Sequence, residues 1–251
     1  MRHPFIRLYA LLAYAAFLAS FSYFAGFASG WGVPKTIDDG PATSPLLAVS
    51  LDVGLVFFFG LVHSVMARPA FKRAWTRIVP PAAERSTYVL IAAAQVALLC
   101  WQWRPIGTFQ LWTSGGALAL VARTLQVAGW AIALVSTFLI DHWELFGLRQ
   151  GLASDASKPV LRTPLFYRWV RHPLYFGMLL ALWSTPTMSA GHLLLAALLT
   201  AYVLIGVKHE ERDLVRVFGD EYRRYQATVP MLLPLPRRAS SGPLAGASAA
   251  R

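Results

Sequence analysis

A series of long apolar stretches, separated by basic segments, constrains this chain more than any other feature. Residues 5–28, 46–66, 87–103 and 119–140 are predominantly apolar, and a bilayer-spanning helix needs ~20 such residues. A further apolar stretch, 173–207, is too long for one helix. It is interrupted at Ser184-Thr185-Pro186-Thr187, where proline removes a backbone donor and clashes with the preceding turn. Each half is short for a full crossing, so a helical hairpin with both ends on one side is expected. The fold class is therefore all-α: an integral membrane helical bundle of five to six transmembrane segments, with a C-terminal helical hairpin and an amphipathic cytoplasmic helix. Only 14% of residues are charged, against about 25% in soluble domains. We expect one domain over residues 1–236, with a cofactor-binding part at 141–230 and a disordered tail at 237–251 rich in Ala, Ser, Gly and Pro. The opening apolar run is expected to be a retained first helix rather than a cleaved leader.

Orientation follows from the basic residues of the loops. Arg2 and Arg7 lie at the N-terminal end, and Arg68, Lys72, Arg73, Arg77 and Arg85 follow the second run. Arg149, Lys158, Arg162, Arg168 and Arg171 follow the fourth, and Lys208, Arg212, Arg216, Arg223 and Arg224 follow the hairpin. The intervening segments 30–45 and 104–118 hold only Lys35 and Arg104. The first group is expected in the cytoplasm and both hairpin feet with it, in a bacterial inner membrane. The net charge of +11 is thus assigned to topology and lipid contact, not to nucleic acid. Trp31, Trp101, Trp103 and Trp112 fall near the external helix ends, where an aromatic belt is expected. The single cysteine, Cys100, excludes an internal disulfide framework. Six dispersed histidines show no close pairing, so no metal is expected. No obligate protein partner is evident.

The reactive residues gather at the feet of the hairpin. On one side stands Arg171-His172-Pro173-Leu174-Tyr175-Phe176-Gly177. Pro173 suits the first position of a helix, whose free N–H groups favour an anion. Arg171 offers a planar fork to a carboxylate, and Gly177 leaves room for close approach. On the other side stand Glu210 and Glu211. Helical spacing puts Leu214, Phe218, Glu221 and Tyr225 on one face of a following helix, with the two glutamates on its border. Ionisable residues at that boundary are functional candidates. A site with both signs of charge suits a zwitterion carrying hydroxyls and a flat base.

These two motifs, with Phe218-Gly219-Asp220-Glu221-Tyr222, Tyr225 and Val229-Pro230, resemble the C-terminal signature of the isoprenylcysteine carboxyl methyltransferase and phospholipid methyltransferase superfamily. The resemblance implies a membrane methyltransferase using S-adenosylmethionine. It further implies that Arg171 and His172 hold the methionine moiety and that Glu210 or Glu211 binds its amino group or the ribose hydroxyls. Tyr175 would then lie near the sulfonium. His63-Ser64-Val65-Met66-Ala67-Arg68, Glu84-Arg85-Ser86-Thr87-Tyr88, Trp101-Gln102-Trp103-Arg104-Pro105 and the segment from Asp141-His142-Trp143-Glu144 to Gln150 are similar to bacterial methanethiol S-methyltransferases, grouped with nurim and NnrU-like proteins. That similarity covers most of the chain. It implies methyl transfer to methanethiol, giving dimethyl sulfide, with hydrogen sulfide as a further acceptor, and Gln150 is counted with the cofactor residues.

Transfer to sulfur needs a thiolate, so a base near the acceptor would help. His142, with Asp141, is the first candidate and His63 the second. A tiny thiol and a lipid can both arrive through the bilayer. A lipid-directed or isoprenylcysteine-type methyltransferase is therefore the alternative, and a non-catalytic nurim-like protein a weaker one.

Overall fold

The computed structural model describes residues 4–140, 142–152, 161 and 163–234. Asp141, Lys158, Arg162 and the tail at 237–251 lie outside the described residues. The elements are α1 (Pro4–Ser29), α2 (Pro45–Ala67), α3 (Pro69–Trp75), α4 (Pro81–Gln102), β1 (Gln110–Thr113), α5 (Gly116–Ile140), α6 (His142–Leu145), α7 (Leu148–Leu152), a 3-10 turn (Leu165–Arg168), α8 (Pro173–Trp183), β2 (Thr187–Ser189), α9 (Ala190–Phe218) and α10 (Asp220–Thr228).

Among the described residues, α1, α2, α5 and α9 are long and apolar enough to cross a membrane. This is a multi-pass, all-α membrane protein. The outward faces are greasy, as lipid contact requires: Leu8, Phe57, Leu120 and Ile205 are all exposed. The third apolar run becomes α4, which begins earlier than expected and carries Glu84, Arg85 and Gln95. It packs against both α1 and α2, and that placement shelters its polar side chains.

The hairpin departs from two equal short arms. Its first arm is α8, with 11 residues, but its second, α9, has 29 and runs on through Glu210 and Glu211. The break between them is stitched to the loop that precedes α5. β1 and β2 pair antiparallel, Trp112 opposite Met188 and Thr113 opposite Thr187. The Ser114 amide donates to the Pro186 carbonyl at 2.9 Å, and the Trp112 indole N–H donates to the Thr185 carbonyl at 3.0 Å. These bonds satisfy backbone that the proline leaves unpaired. Ser189 then caps α9, its hydroxyl accepting from the His192 amide.

Two small residues set the central crossing. A Cβ at Gly129 on α5 would lie 2.5 Å from the Ala181 nitrogen on α8, and one at Gly177 would lie 2.5 Å from the Ala133 nitrogen. The close approach anticipated at Gly177 therefore serves α5. At the opposite end, Lys35 donates to the carbonyls of Cys100, Trp101 and Trp103 at 2.9, 2.6 and 2.9 Å, a cation on the C-terminus of α4. Trp31 and Trp101 are exposed, as a belt requires, but Trp103 is wholly buried in the core with Phe27, Leu182 and Leu195.

Gly129→Ala is expected to destabilise the bundle by about 1–3 kcal/mol through overpacking. Gly54→Ala, with no atom within 4 Å of the new Cβ, should instead stabilise α2 by up to about 1 kcal/mol. Melting temperatures of the two variants in one detergent would check the contrast.

Candidate active site

The proline at position 173 organises one foot. A residue before proline is kept out of the helical region, and His172 takes φ −124° and ψ 67°. Extended backbone here can pair: the Arg171 amide donates to the Pro230 carbonyl at 2.9 Å, and the His172 amide to the Met231 carbonyl at 3.2 Å. The Val229-Pro230 motif is thus the backbone partner of Arg-His-Pro.

The same motif places the Arg171 side chain in a nearly closed setting. Its Nε donates to Glu211 Oε1 at 2.6 Å, and its Nη1 donates to the carbonyls of Gln226 at 3.1 Å and Val229 at 2.5 Å. The guanidinium therefore bridges α9 and the C-terminal carbonyls of α10, where a cation is favoured. Glu211 also accepts from Gln226 Nε2 at 2.9 Å and lies 3.1 Å from His172 Nε2. Arg171 and His172 are 8% and 5% exposed. Distant parts of the sequence do converge, but the fork of Arg171 is directed to Glu211 and to the end of α10.

Glu210 has spare capacity. Its side chain is 44% exposed. It accepts a hydrogen bond from the Tyr175 hydroxyl at 3.2 Å and lies 3.9 Å from His172 Nδ1. Two successive helical residues point about 100° apart. With Glu211 held by Arg171, Glu210 turns toward Tyr175 on α8.

The expected stripe of Leu214, Phe218, Glu221 and Tyr225 does not run along one helix. Gly219, with φ +58°, divides α9 from α10. Glu221 is exposed, and it is Tyr222, 2% exposed, that packs inward. The Tyr225 hydroxyl donates to the Tyr167 carbonyl at 2.5 Å. Burial pushes the Tyr225 phenol up to about 12 and those of Tyr222 and Tyr167 higher still, so all three keep their protons. Tyr167, Tyr222 and Gln226 were not singled out from sequence. Tyr222 stands inside the recognised motif, whereas Tyr167 and Gln226 carry no signal of their own.

The other expected residues lie in separate groups. His142 is 2% exposed and stacked on Phe138 at 3.6 Å. Its Nε2 is 2.7 Å from the Tyr14 hydroxyl and its Nδ1 2.7 Å from the Thr137 hydroxyl. The Thr137 hydroxyl donates to the Leu134 carbonyl, so it accepts from Nδ1–H, and Nε2 accepts from Tyr14. Both nitrogens are engaged within the bundle. Gln150 accepts from the Arg85 amide at 3.3 Å and ties α7 to α4. His63 is different. Its Nε2 is 2.6 Å from the Tyr88 hydroxyl, while its Nδ1 is buried without a hydrogen-bond partner.

Arg171, Glu210, Glu211, His63, His142 and Gln150 all fall inside a stretch, residues 50–232, that matches the family model described as NnrU protein. The chain belongs to the NnrU family. Methanethiol S-methyltransferase 2 of Bradyrhizobium diazoefficiens is 48% identical over 233 residues, covering 91% of this NnrU chain and 90% of the relative. The methanethiol S-methyltransferase of Mycobacterium tuberculosis is 46% identical over 237 residues, covering 92% and 96%. Nurim of Xenopus laevis is 30% identical over 178 residues, covering 66% and 62%. No solved structure matches. The NnrU match ends one residue beyond Met231, whose carbonyl receives the His172 amide.

Arg171→Ala is expected to cost about 3–5 kcal/mol, because it strands Glu211 and two helix-end carbonyls. Glu210→Gln should stay within about 0.5 kcal/mol, as partly exposed positions do. Equilibrium unfolding in detergent would measure both. A second expectation concerns pH. Desolvation holds His142 below its ordinary 6.5, so the unfolded chain takes up this proton first as pH falls. The His142 contribution is complete above 6.5 and declines below it. Melting temperatures between pH 7.5 and 5 should fall less steeply in His142→Gln than in the wild type.

Proposed function

We propose that this chain is a membrane enzyme that transfers a methyl group to the sulfur of a small thiol, converting methanethiol to dimethyl sulfide, with hydrogen sulfide as a further acceptor. The observation that carries the reading is the near-half identity, over about nine-tenths of both chains, to proteins named methanethiol S-methyltransferase. The donor we propose is S-adenosylmethionine, used at the cytoplasmic side of a bacterial inner membrane, with residues 1–236 acting as one unit. The basic loops support that orientation, since cytoplasmic segments carry the excess of Lys and Arg.

The residues present fit such a donor. It is a cation with an amino group and hydroxyls, and Glu210 is a half-exposed carboxylate with Tyr175 beside it. When bound, the donor supplies an electrophilic methyl on a positively charged sulfur. Glu210 would bind the donor's amino group or ribose hydroxyls, and Tyr175 would face the sulfonium. His172 would orient Glu210, while Arg171 and Glu211 would hold the loop that presents His172. In this reading His142 and Gln150 support the fold of the cytoplasmic layer, and Gly177 supports the crossing of α5 and α8.

Glu210→Gln should lower affinity for S-adenosylmethionine at least 10-fold with an unchanged melting temperature, measured by isothermal titration. Membranes given methyl-labelled donor and methanethiol should release labelled dimethyl sulfide into the headspace. Label in extracted phospholipid instead would overturn the thiol reading and favour the lipid acceptor.

A further inference from the structure

We infer that the acceptor thiol is held inside the bundle against His63, Tyr88 and Tyr202, and that Nδ1 of His63 takes its proton. This rests on the methyltransferase reading and adds to it the place of the acceptor and its base.

The first observation is the unpartnered nitrogen. Nδ1 of His63 is buried without a hydrogen-bond partner among the described residues. His142 has both ring nitrogens engaged, His172 faces both glutamates, and His192 holds the Leu182 carbonyl at 2.6 Å. A buried polar atom without a partner is costly, and a bound S–H would relieve it.

The second is a group of hydroxyls that meets the other nitrogen of His63 at one end and the proposed donor carboxylate at the other. His63 Nε2 meets Tyr88 at 2.6 Å, and the neighbouring Ser64 hydroxyl lies 3.3 Å from the Tyr202 hydroxyl. Tyr202 stands about two turns before Glu210 on α9, and Tyr175 donates to Glu210. Four elements contribute: α2, α4, α8 and α9. Polar side chains within largely apolar helices are functional candidates, and these stand on the helices that carry His63 and Glu210.

The third is size. The Tyr202 ring lies against Gly60, 3.1 Å from where a Cβ would stand, and Phe59 packs on both His63 and Tyr202. These rings close the seam between α2 and α9 to a prenyl or acyl chain. An aromatic wall also suits a polarisable sulfur.

With hydrogen on Nε2, that N–H donates to the Tyr88 oxygen and Nδ1 presents its lone pair. Nδ1 accepts the thiol proton as the S–H bond breaks. The freed sulfur pair forms the new bond to the methyl carbon, and the electrons of the broken carbon–sulfur bond stay on the sulfur of the methyl-sulfonium donor, which becomes a neutral thioether. The imidazolium gives up its proton once the neutral thioethers have left and water can reach the site. Among charged groups, Arg85 on α4 lies 5.2 Å from the centre of the Tyr88 ring, Glu84 precedes it on the same helix, and Glu210 on α9 accepts from Tyr175.

The test uses full-length protein in lipid nanodiscs. His63→Gln should lower methanethiol turnover at pH 7 by about 100-fold, with the loss shrinking as pH rises toward the thiol's own ionisation. Titrated affinity for S-adenosylmethionine should be unchanged. Tyr88→Phe, which keeps the ring, should shift the pH–rate profile in the same direction, and Tyr202→Ala should raise the rate for hexanethiol relative to methanethiol at least 10-fold. Independently of turnover, methanethiol added without donor should shift a ¹⁵N ring resonance that His63→Gln removes. A His63→Gln enzyme with the wild-type pH profile, or an unmoved His63 resonance, overturns the inference. Wild-type protein that shows the shift but methylates no thiol overturns the methyltransferase reading instead and leaves the thiol subsite standing.

Discussion

The contact between Arg171 and Glu211 is the interaction on which the end of the bundle that carries the candidate site depends. Removing a guanidinium and a carboxylate from water is costly, and their attraction alone does not reliably compensate. Here the remaining capacity of both groups is used: two carbonyls at the end of α10 take Nη1, and Gln226 and His172 meet the carboxylate. Four separate pieces of chain become one body: the extended 171–172, the end of α9, α10 and the strand-like 229–231. The rotation of α9 follows from this. Fixing Glu211 against Arg171 and α10 turns Glu210 toward Tyr175 on α8 and the solvent, so a pair of adjacent acids divides into one that holds the structure and one that remains available.

That division relies on a hairpin whose arms reach the same depth by different means. At about 1.5 Å per residue, the 11 residues of α8 extend only ~16 Å, half a bilayer's hydrocarbon thickness. Extended chain covers about 3.3 Å per residue. The 184–189 arm therefore supplies the missing length, protected by its pairing with β1. Because α8 cannot anchor itself by length, it is held by contact, through backbone approach to α5 at Gly129 and Gly177. The start of α8, with Tyr175 on its first turn, is positioned by packing rather than by lipid.

What was readable in the sequence divides along the same line. Apolar runs depend on local composition, and they placed α1, α2 and α5 to within a few residues, whereas α9 runs 11 residues past the expected end of the hairpin at 207, to Phe218. The convergence of Arg171 with Glu211 was legible because proline and the apolar hairpin fix where its feet can lie. Three things were not. Gly219 looked like part of a helical stripe, since nothing in spacing reveals a φ of +58°. Trp103 matched an aromatic belt by position, yet its ring turns into the core. His142 and His63 were ranked by motif. Only coordinates reveal that one imidazole has both nitrogens satisfied by neighbours from α1 and α5, and that the other has one left over.

The placement of an acceptor among aromatic rings also bears on the chemistry. On the methyltransferase reading, a thiolate and a sulfonium react to give two neutral thioethers, so charge is dispersed in the transition state. In water both reactants are well solvated, and that solvation is lost on the way to reaction. In a site of low dielectric constant their attraction is stronger, and there is less hydration to shed. Such a site disfavours an isolated thiolate, so the proton must leave late and to a neighbour already in place. A buried imidazole with one free nitrogen meets that condition. A solvent-exposed base would not, because water reaching it would also solvate the thiolate. On that reading the apolar surroundings of His63 and the half-exposed setting of Glu210 are complementary, since a group that takes a cation from water needs access to it and a group that prepares the nucleophile needs to be kept from it during the transfer.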